Sequence, residues 1–309
     1  MQLPSAHISP KPEWLKIRPP SGENYKKIKA TLRQRRLYTV CEEAHCPNVA
    51  ECWGGGTATF MVMGDLCTRG CRFCAVKTRK EGIPLDLEEP AKVSESIALM
   101  KLEYVVITSV DRDDLSDGGA SHFAAVIERC KKDHPNLIVE VLTPDFLGDL
   151  RSIDTIAKAS PHVFANNIET VRRLTPHVRD PRAGYDQTLR VLKYFKERRP
   201  DLFTKSSIML GLGETDAEVL ETMTDLRNVG VDFLTLGQYL RPTPKHLPVE
   251  EYVTPEKFDY FRQWGETFGF ETVASGPLVR SSYRAGEFYV QQRIKVSPPL
   301  SSRGGSAFG

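Results

Sequence analysis

Apolar and β-branched residues concentrate in seven short runs along the chain, and most gaps between the runs repeat apolar residues at helical spacing. The predicted strands are 57–64, 104–110, 137–143, 162–168, 205–212, 233–240 and 272–279. The predicted helices are 91–101, 120–132, 147–159, 188–198, 217–229 and 255–268. A strand followed by a helix roughly six times predicts parallel strands joined by right-handed crossovers.

Two α/β architectures fit this alternation: an open doubly wound sheet, and a full or partial TIM-like barrel. Several predicted strands end in polar groups, as in Thr108-Ser109, Asn166-Asn167 and Gly213-Glu214. A barrel carries its active site on the rim formed by the C-terminal ends of its strands. The polar ends therefore favour a partial TIM-like (β/α)6 barrel.

The barrel is predicted to span residues 57–280, with an extension at each end. Five prolines indicate an extended arm over residues 1–22. Residues 23–56 combine a short amphipathic helix with a cysteine-rich segment that ends in three glycines. Residues 281–296 are predicted to form a C-terminal helix, and the Ser/Gly/Pro-rich residues 297–309 a disordered tail.

The composition excludes several classes of protein. With 40% hydrophobic and 27% charged residues and a mean hydropathy of -0.34, the chain has the profile of a soluble globular protein. Its 42 basic and 40 acidic residues leave a net charge of only +2, which disfavours a general nucleic-acid binder. No apolar run approaches the ~18 residues of a membrane span, and residues 1–12 contain no signal-peptide core. We expect a cytoplasmic protein without a membrane partner.

Six of the seven cysteines lie between residues 41 and 74, in two groups of three. The groups are the upstream triplet, Cys41-x4-Cys46-x5-Cys52, and the barrel triplet, Cys67-x3-Cys71-x2-Cys74. Structural zinc sites usually take four ligands in two pairs, whereas an iron–sulfur cubane is held by thiolates, commonly one per iron. Each triplet is one thiolate short, so one iron would stay open. Zinc binding or a core role remains the alternative, and Cys130, in an apolar pattern, is predicted to be a core residue.

The barrel triplet follows the first predicted strand directly, where a barrel keeps active-site residues. Its C-x3-C-x2-C spacing, with the aromatic Phe73 before the last cysteine, resembles the radical S-adenosylmethionine (SAM) superfamily. The resemblance implies a [4Fe–4S] cluster on Cys67, Cys71 and Cys74 whose open iron binds SAM. It also implies one-electron cleavage of SAM to a 5′-deoxyadenosyl radical, which abstracts hydrogen from an unactivated carbon.

The two triplets together, with Arg280-Ser281-Ser282-Tyr283, resemble the lipoyl synthase family. Further stretches similar to that family are 44–48, 54–61, 108–115 and 237–243. The resemblance implies an auxiliary [4Fe–4S] cluster held by the upstream triplet and by a serine oxygen. We assign that oxygen to Ser282, with Ser281 as the alternative. Without the family, a helix-capping role would be the first interpretation of both serines.

The same resemblance implies a sulfurtransferase of lipoate biosynthesis. One SAM per C–H bond would activate C6 and C8 of an octanoyl chain on a carrier-protein lysine, and the auxiliary cluster would donate both sulfurs. The implied partners are octanoylated H protein and E2 lipoyl domains, with ferredoxin or flavodoxin as reductant and no nucleic acid. A radical SAM methylthiotransferase and a non-catalytic iron–sulfur or zinc binding protein are the alternatives.

Residues that follow predicted strands are candidates for SAM contacts at the barrel rim. These candidates, together with the aromatic of the triplet, are Phe73, Thr108, Ser109, Asn166, Glu169 and Gly211. Gly211 lies in a stretch similar to the superfamily's late G-x-I-x-G-x-x-E, in which Ser207 and Met209 replace the first glycine and the isoleucine. That departure weakens the match at Gly211.

A basic stretch of the N-terminal helix has two interpretations. Its residues are Lys26, Lys27, Lys29, Arg33, Arg35 and Arg36. The stretch is either a solvated helix face or a docking surface for an acidic carrier domain.

Overall fold

The computed structural model describes residues 10–16, 23–35, 37–39, 43, 48 and 58–281. The strands are β1 (Tyr38–Thr39), β2 (Thr59–Val62), β3 (Leu66–Cys67), β4 (Lys77–Thr78), β5 (Tyr104–Ser109), β6 (Ile138–Leu142), β7 (Val163–Ala165), β8 (Phe203–Leu210), β9 (Phe233–Gln238) and β10 (Thr272–Gly276). The α-helices are α1 (Glu23–Arg35), α2 (Glu89–Met100), α3 (Ala120–Asp133), α4 (Leu150–Ala159), α5 (Thr175–Val178), α6 (Tyr185–Arg198), α7 (Asp216–Asn228) and α8 (Pro255–Thr267). Short 3-10 turns lie at Glu13–Leu15 and Phe146–Gly148.

The main sheet has eight strands in the order β1-β2-β5-β6-β7-β8-β9-β10. β1 pairs with β2 in antiparallel fashion, and every other neighbouring pair is parallel. The parallel strands follow one another in chain order, whereas a doubly wound sheet reverses its order at a switch point. The prediction of a partial TIM-like barrel is therefore confirmed. Six helical crossovers connect its seven parallel strands.

Side-chain alternation along the strands divides the barrel interior into layers. The layer at the N-terminal ends is apolar and consists of Tyr104, Val106, Ile138, Val163, Phe203 and Phe233. Next along the strands, Lys205 of β8 and Glu140 of β6 form a buried ion pair with an Nζ–Oε1 distance of 2.7 Å. The Tyr104 hydroxyl donates to the same carboxylate. This pair and the apolar layer close the barrel below the site.

The helices cover the outer face of the sheet and bury the largest apolar cluster there. Cys130 of α3 is fully buried in this cluster, which confirms its predicted core role. α1 packs against α2 through the fully buried Leu32, and Arg35 pairs with Glu95 of α2. Among the described residues, no helix combines the length and the apolarity that crossing a membrane requires.

Several local features differ from the sequence prediction, and two of them lie close to the site or to its supporting strands. The helix expected at 147–159 begins at Leu150, because the Asp149 side chain accepts the Ser152 N–H at 3.1 Å and caps the helix there. The short parallel pair of β3 and β4 was not predicted, and it pairs Cys67 with Thr78. This pairing closes the base of the loop that carries the barrel triplet.

His162, which precedes β7, makes stability dependent on pH. Its Nδ1 accepts the Val139 N–H at 3.0 Å, and burial lowers its pKa to about 4. Between pH 6.5 and 4 the unfolded chain therefore binds more protons than the folded protein, and stability falls as the pH falls. We expect a loss of about 2 kcal/mol across this window, measured as a lower thermal midpoint. His162→Asn keeps an acceptor but does not titrate, so a pH curve identical to that of wild type would contradict this account.

Candidate active site

A cavity of about 530 Å³ opens at the C-terminal ends of the parallel strands. All three cysteines of the barrel triplet line it. So do five of the six residues predicted to bind SAM, namely Phe73, Thr108, Ser109, Asn166 and Glu169. The structure therefore brings together residues from the ends of β5 and β7 and from the cysteine loop at one rim, as a barrel site requires.

Gly211, the sixth candidate, lies beside the cavity and does not line it. Its φ of +98° suits glycine, and a Cβ there would clash with the Glu251 carbonyl oxygen. Its N–H donates to the Glu214 carboxylate at 2.5 Å. Close backbone packing thus explains the glycine, and a SAM contact from Gly211 stays a prediction.

Backbone N–H groups are directed at two sulfurs of the barrel triplet. The Arg69 N–H lies 3.4 Å from Cys67 Sγ, and the Asp180 N–H lies 3.3 Å from Cys71 Sγ. The Cys74 N–H donates to the Cys71 carbonyl at 3.1 Å and tightens the loop between them. Hydrogen bonds to sulfur favour the thiolate form and are one of the factors that set the potential of an iron–sulfur cluster.

Burial raises the pKa of all three thiols in the cysteine loop. The pKa of Cys67 and of Cys71 rises to about 12, and that of Cys74 to about 11. The nearby Asp111 carboxylate adds to the rise at Cys67. Thiolates are the ligands of iron, so a bound cationic cluster would supply the charge that deprotonates these sulfurs.

The donor set fits a cubane better than a single metal ion. No three His, Cys, Asp or Glu side chains within the described residues converge on one ion position. A cubane takes each thiolate on a different iron, so its ligands stand further apart. Cys67, Cys71 and Cys74 could hold three irons and leave the fourth without a protein ligand from this loop.

A buried arginine connects the cysteine loop to the strand ends around it. Arg69 pairs with Asp111 at 3.3 Å, with Asp113 at 2.8 Å and with Asp145 at 2.8 Å. Arg182 reaches the same Asp113 at 3.1 Å. Because a buried guanidinium is costly without partners, these carboxylates fix the loop against β5 and β6.

The end of α5 and the residues directly after it also support the cysteine loop, and the sequence analysis missed them. The Val178 carbonyl accepts the Arg72 N–H at 2.9 Å, and the Asp180 carboxylate accepts the Gly70 N–H at 2.8 Å. With its own N–H directed at Cys71 Sγ, Asp180 contacts the loop at two points. The segment therefore positions the sulfurs from outside the motif.

Replacing Asp180 with alanine should weaken cluster binding and slow SAM cleavage by about 10–100-fold, the usual range for residues that support metal ligands. The variant loses the Gly70 contact and the 2.8 Å pair with Arg182. The measurements are iron content after anaerobic reconstitution and the rate of 5′-deoxyadenosine formation. Asp186→Ala, which removes an exposed pair with Arg172, is the matched control. Equal values for both variants and wild type would rule out the supporting role.

Several buried polar atoms on the cavity wall have no hydrogen-bond partner among the described residues. They are Ser109 Oγ, Asp145 Oδ2, Asn166 Oδ1, Asn167 Oδ1 and Arg179 Nε. A buried polar group without a partner costs about 1–3 kcal/mol. Donors and acceptors left open on one wall indicate a ligand with several polar groups, and amino, carboxylate and hydroxyl groups would satisfy them.

Glu169 combines a strained backbone with a carboxyl group of perturbed pKa. Its φ of +67° is unusual for a residue other than glycine, and burial raises the pKa of its carboxyl. Arg179 opposes that rise, and the Asn167 side chain donates to Glu169 at 3.1 Å. Strain of this kind is concentrated at functional sites, which supports the selection of Glu169 from the sequence.

The predicted auxiliary site falls largely outside the described residues. Cys41, Cys46, Cys52 and Ser282 lie outside them, as do the predicted tail and all of the predicted C-terminal helix except its first residue. That first residue, Ser281, lines the cavity that contains the barrel triplet. Asn48 is also described, and its side-chain amide donates to the Leu278 carbonyl at 2.6 Å.

Comparison with known proteins identifies the family. A family model described as the Radical SAM superfamily matches residues 61–226, and one described as the N-terminal domain of lipoyl synthase matches residues 3–46. Lipoyl synthase from Anaeromyxobacter sp. (strain Fw109-5) is 61% identical over 289 residues, which cover 94% of this chain and 98% of that protein. Lipoyl synthase from Thermus thermophilus is 59% identical over 91% of this chain and 87% of its own length.

Solved structures share the fold at low identity. Methylornithine synthase superimposes with a TM-score of 0.53 and 12% identity, over 88% of this chain and 87% of that one. The FeFe-hydrogenase maturase HydG from Carboxydothermus hydrogenoformans superimposes with a TM-score of 0.52 and 13% identity, over 87% of this chain and 70% of that one. Membership of the radical SAM superfamily implies a [4Fe–4S] cluster and SAM as cofactors. With about 60% identity to curated relatives over nearly its full length, the chain belongs to the lipoyl synthase family of sulfur-inserting radical SAM enzymes.

Proposed function

We propose that this protein inserts two sulfur atoms, at C6 and C8, into an octanoyl chain that is amide-linked to a lysine of a carrier protein. The barrel triplet would hold the cluster that binds SAM, and the upstream triplet with one serine would hold the cluster that donates sulfur. Octanoylated H protein or E2 lipoyl domains would be the substrates, and ferredoxin or flavodoxin would supply electrons.

The contact between Asn48 and Leu278 carries this proposal. Asn48 stands in the sequence between Cys46 and Cys52, and its amide lies 2.6 Å from the Leu278 carbonyl oxygen. Leu278 precedes Ser281 by three residues in the sequence, and Ser281 lines the cavity of the barrel triplet. The contact supports an arrangement in which the sulfur donor and the radical source face one substrate chain.

The lining of the cavity contains polar groups suited to SAM and apolar side chains suited to an acyl chain. When bound, the cluster and SAM together supply the 5′-deoxyadenosyl radical that removes hydrogen from an unactivated carbon. On the protein side, Ser109, Asn166 and Arg179 each have a polar atom without a hydrogen-bond partner among the described residues. These atoms could bind the polar groups of SAM. Apolar side chains on the same wall would bind the octanoyl chain and exclude water. They are Leu15, Met61, Val76, Leu142, Met209, Leu240 and Val279.

A serine is chemically suited to be the releasable ligand of the auxiliary cluster. Three thiolates would hold three of its irons, and a serine oxygen could leave the fourth while the cluster gives up sulfide. We assign this ligand to Ser282, with Ser281 as the alternative. The position of Ser281 on the cavity wall supports this part of the chain as the source of the ligand.

Mass spectrometry of an octanoyl-lysine peptide tests the proposal. After anaerobic incubation with the reconstituted protein, SAM and dithionite, we expect two sulfurs and two 5′-deoxyadenosines per product. Deoxyadenosine without sulfur insertion would contradict the proposed substrate and leave the radical chemistry intact. A methylthio group on the product, or on added RNA, would instead favour the methylthiotransferase alternative.

A further inference from the structure

We propose that the cations around the mouth of the cavity form the docking surface for the carrier, and that this surface binds a protein domain that is acidic around its modified lysine. The inference rests on the proposed function and identifies the part of the enzyme that binds protein rather than acyl chain. We call this surface the basic rim. It consists of Lys11, Arg72, Arg79, Lys80, Arg241 and Lys245.

One part of the basic rim belongs to the cysteine loop and its return strand. Arg79 and Lys80 follow β4 directly and are exposed, and the preceding Thr78 lines the cavity. The Arg79 N–H donates to the Cys67 carbonyl at 2.9 Å. Arg72, also exposed, lies within the loop itself. These three exposed cations therefore lie within the cysteine loop or directly after its return strand.

The other part comes from two distant segments of the chain. Lys11 and Arg241 line the cavity, and Lys11 is exposed. Lys245 is exposed in the loop after β9, where the ring Nε2 of the neighbouring His246 contacts the Cys74 carbonyl at 2.9 Å. Cations from three separate segments thus meet at one opening.

None of the six cations of the basic rim forms an ion pair with a carboxylate within the described part of the chain. Arg241 donates to the carbonyls of Pro244 and His246, and Arg72 contacts His177. On the 77–81 segment, Lys77 is paired with Asp65 at 2.5 Å, and Glu81 is the segment's only acidic residue. The chain as a whole carries a net charge of only +2, so the excess of positive charge at the rim is local. Such a field attracts an acidic partner and orients it at the mouth.

The basic face of α1 is less suited to this role. Arg35 is paired with Glu95 of α2, and Lys26 and Lys29 also make polar contacts. α1 packs on the outer helix layer, whereas the cavity opens at the C-terminal strand ends. A carrier bound to α1 would not bring its lysine to the cavity.

A protein fits the basic rim better than RNA does. Binding to single-stranded RNA combines cations with exposed aromatic side chains on which bases stack. The rim residues include no aromatic, and Phe73 beside them is half-buried in the cavity wall. Of the exposed aromatics, Tyr260 and Trp264 lie on α8, and Trp14 near Lys11 offers the rim a single stacking surface rather than the series that successive bases need.

Charge reversal separates docking from chemistry. We expect Arg79→Glu/Lys80→Glu to lower kcat/KM for an octanoylated acidic carrier domain by about tenfold or more and to weaken its dependence on ionic strength. For a short uncharged octanoyl-lysine peptide, kcat/KM should stay within about twofold, because neither residue lines the cavity. Lys132→Glu/Lys158→Glu is the matched control. Both lysines are exposed in the last turns of α3 and α4, at the opposite end of the barrel.

Three kinetic outcomes would overturn the proposal: unchanged carrier kinetics in the rim variant, a loss equal to that of the control, or an equal loss with the peptide. Fluorescence anisotropy of the labelled carrier gives a readout that is independent of turnover, and wild type should bind it more tightly than the rim variant does. An RNA oligonucleotide that displaces the carrier and binds more tightly would also overturn it. Wild type that binds the carrier but modifies neither substrate would refute the proposed function and leave the docking surface supported.

Discussion

Cys71→Ala should abolish SAM cleavage, with 5′-deoxyadenosine formation reduced by about three orders of magnitude or more. The cluster of the barrel triplet would keep only two protein thiolates, and the sulfur that receives the Asp180 N–H at 3.3 Å would be gone. Iron content should fall by about half, because the cluster proposed for the upstream triplet would not use Cys71. Deoxyadenosine quantified against iron content after anaerobic reconstitution is the measurement.

Cys130→Ala is the matched control for this result. Cys130 is also a free cysteine, but it is fully buried in the outer apolar layer. The substitution should cost about 1–2 kcal/mol of stability through the cavity that it leaves, with SAM cleavage and iron content unchanged. A Cys71 variant that cleaves SAM like the Cys130 variant would show that the barrel triplet does not hold the catalytic cluster.

Ser282→Ala should separate the two halves of the reaction. In the proposed function SAM cleavage depends on the barrel triplet and should persist, whereas sulfur insertion should fall by about a hundredfold because the auxiliary cluster would lose a ligand. Ser282→Cys, which restores a ligand atom, should recover auxiliary-cluster occupancy. Liquid chromatography with mass spectrometry measures deoxyadenosine and the sulfur-containing product in the same reaction.

Ser281→Ala is the partner experiment, because Ser281 lines the cavity and is the alternative ligand. The assignment to Ser282 expects Ser281→Ala to retain most sulfur insertion. The reverse pattern would transfer the ligand role to Ser281. Full sulfur insertion by both single variants would eliminate a serine ligand altogether.

The barrel could be predicted because its signals are local and periodic. Each parallel strand of the main sheet overlaps an apolar run found in the sequence, and polar residues at their ends, such as Thr108 and Asn166, lie on the cavity as expected. The spacing of the barrel triplet is also local, and the short loop brings all three sulfurs to one wall. Periodicity and short-range spacing are the properties that a single sequence records directly.

Features that depend on long-range pairing could not be predicted in this way. Lys205 opens a predicted strand, but its buried position follows from Glu140, 65 residues away on a strand that is not its neighbour. Asp180 contacts Cys71 across 109 residues, and Asn48 contacts Leu278 across 230. The local sequence around Lys205, Asp180 or Asn48 does not specify the distant residue that each one contacts, because distant elements come together only when the barrel closes.

The most direct test of the central claim follows the sulfur itself. The protein is reconstituted with iron and heavy-isotope sulfide, freed of unbound sulfide, and incubated with SAM, reductant and octanoyl-lysine peptide in the presence of light sulfide. We predict a product with two heavy sulfurs, at about one product per protein chain, because in the proposed function the auxiliary cluster would be consumed as the donor. A product that carries light sulfur, or many turnovers without rebuilding the cluster, would contradict the account.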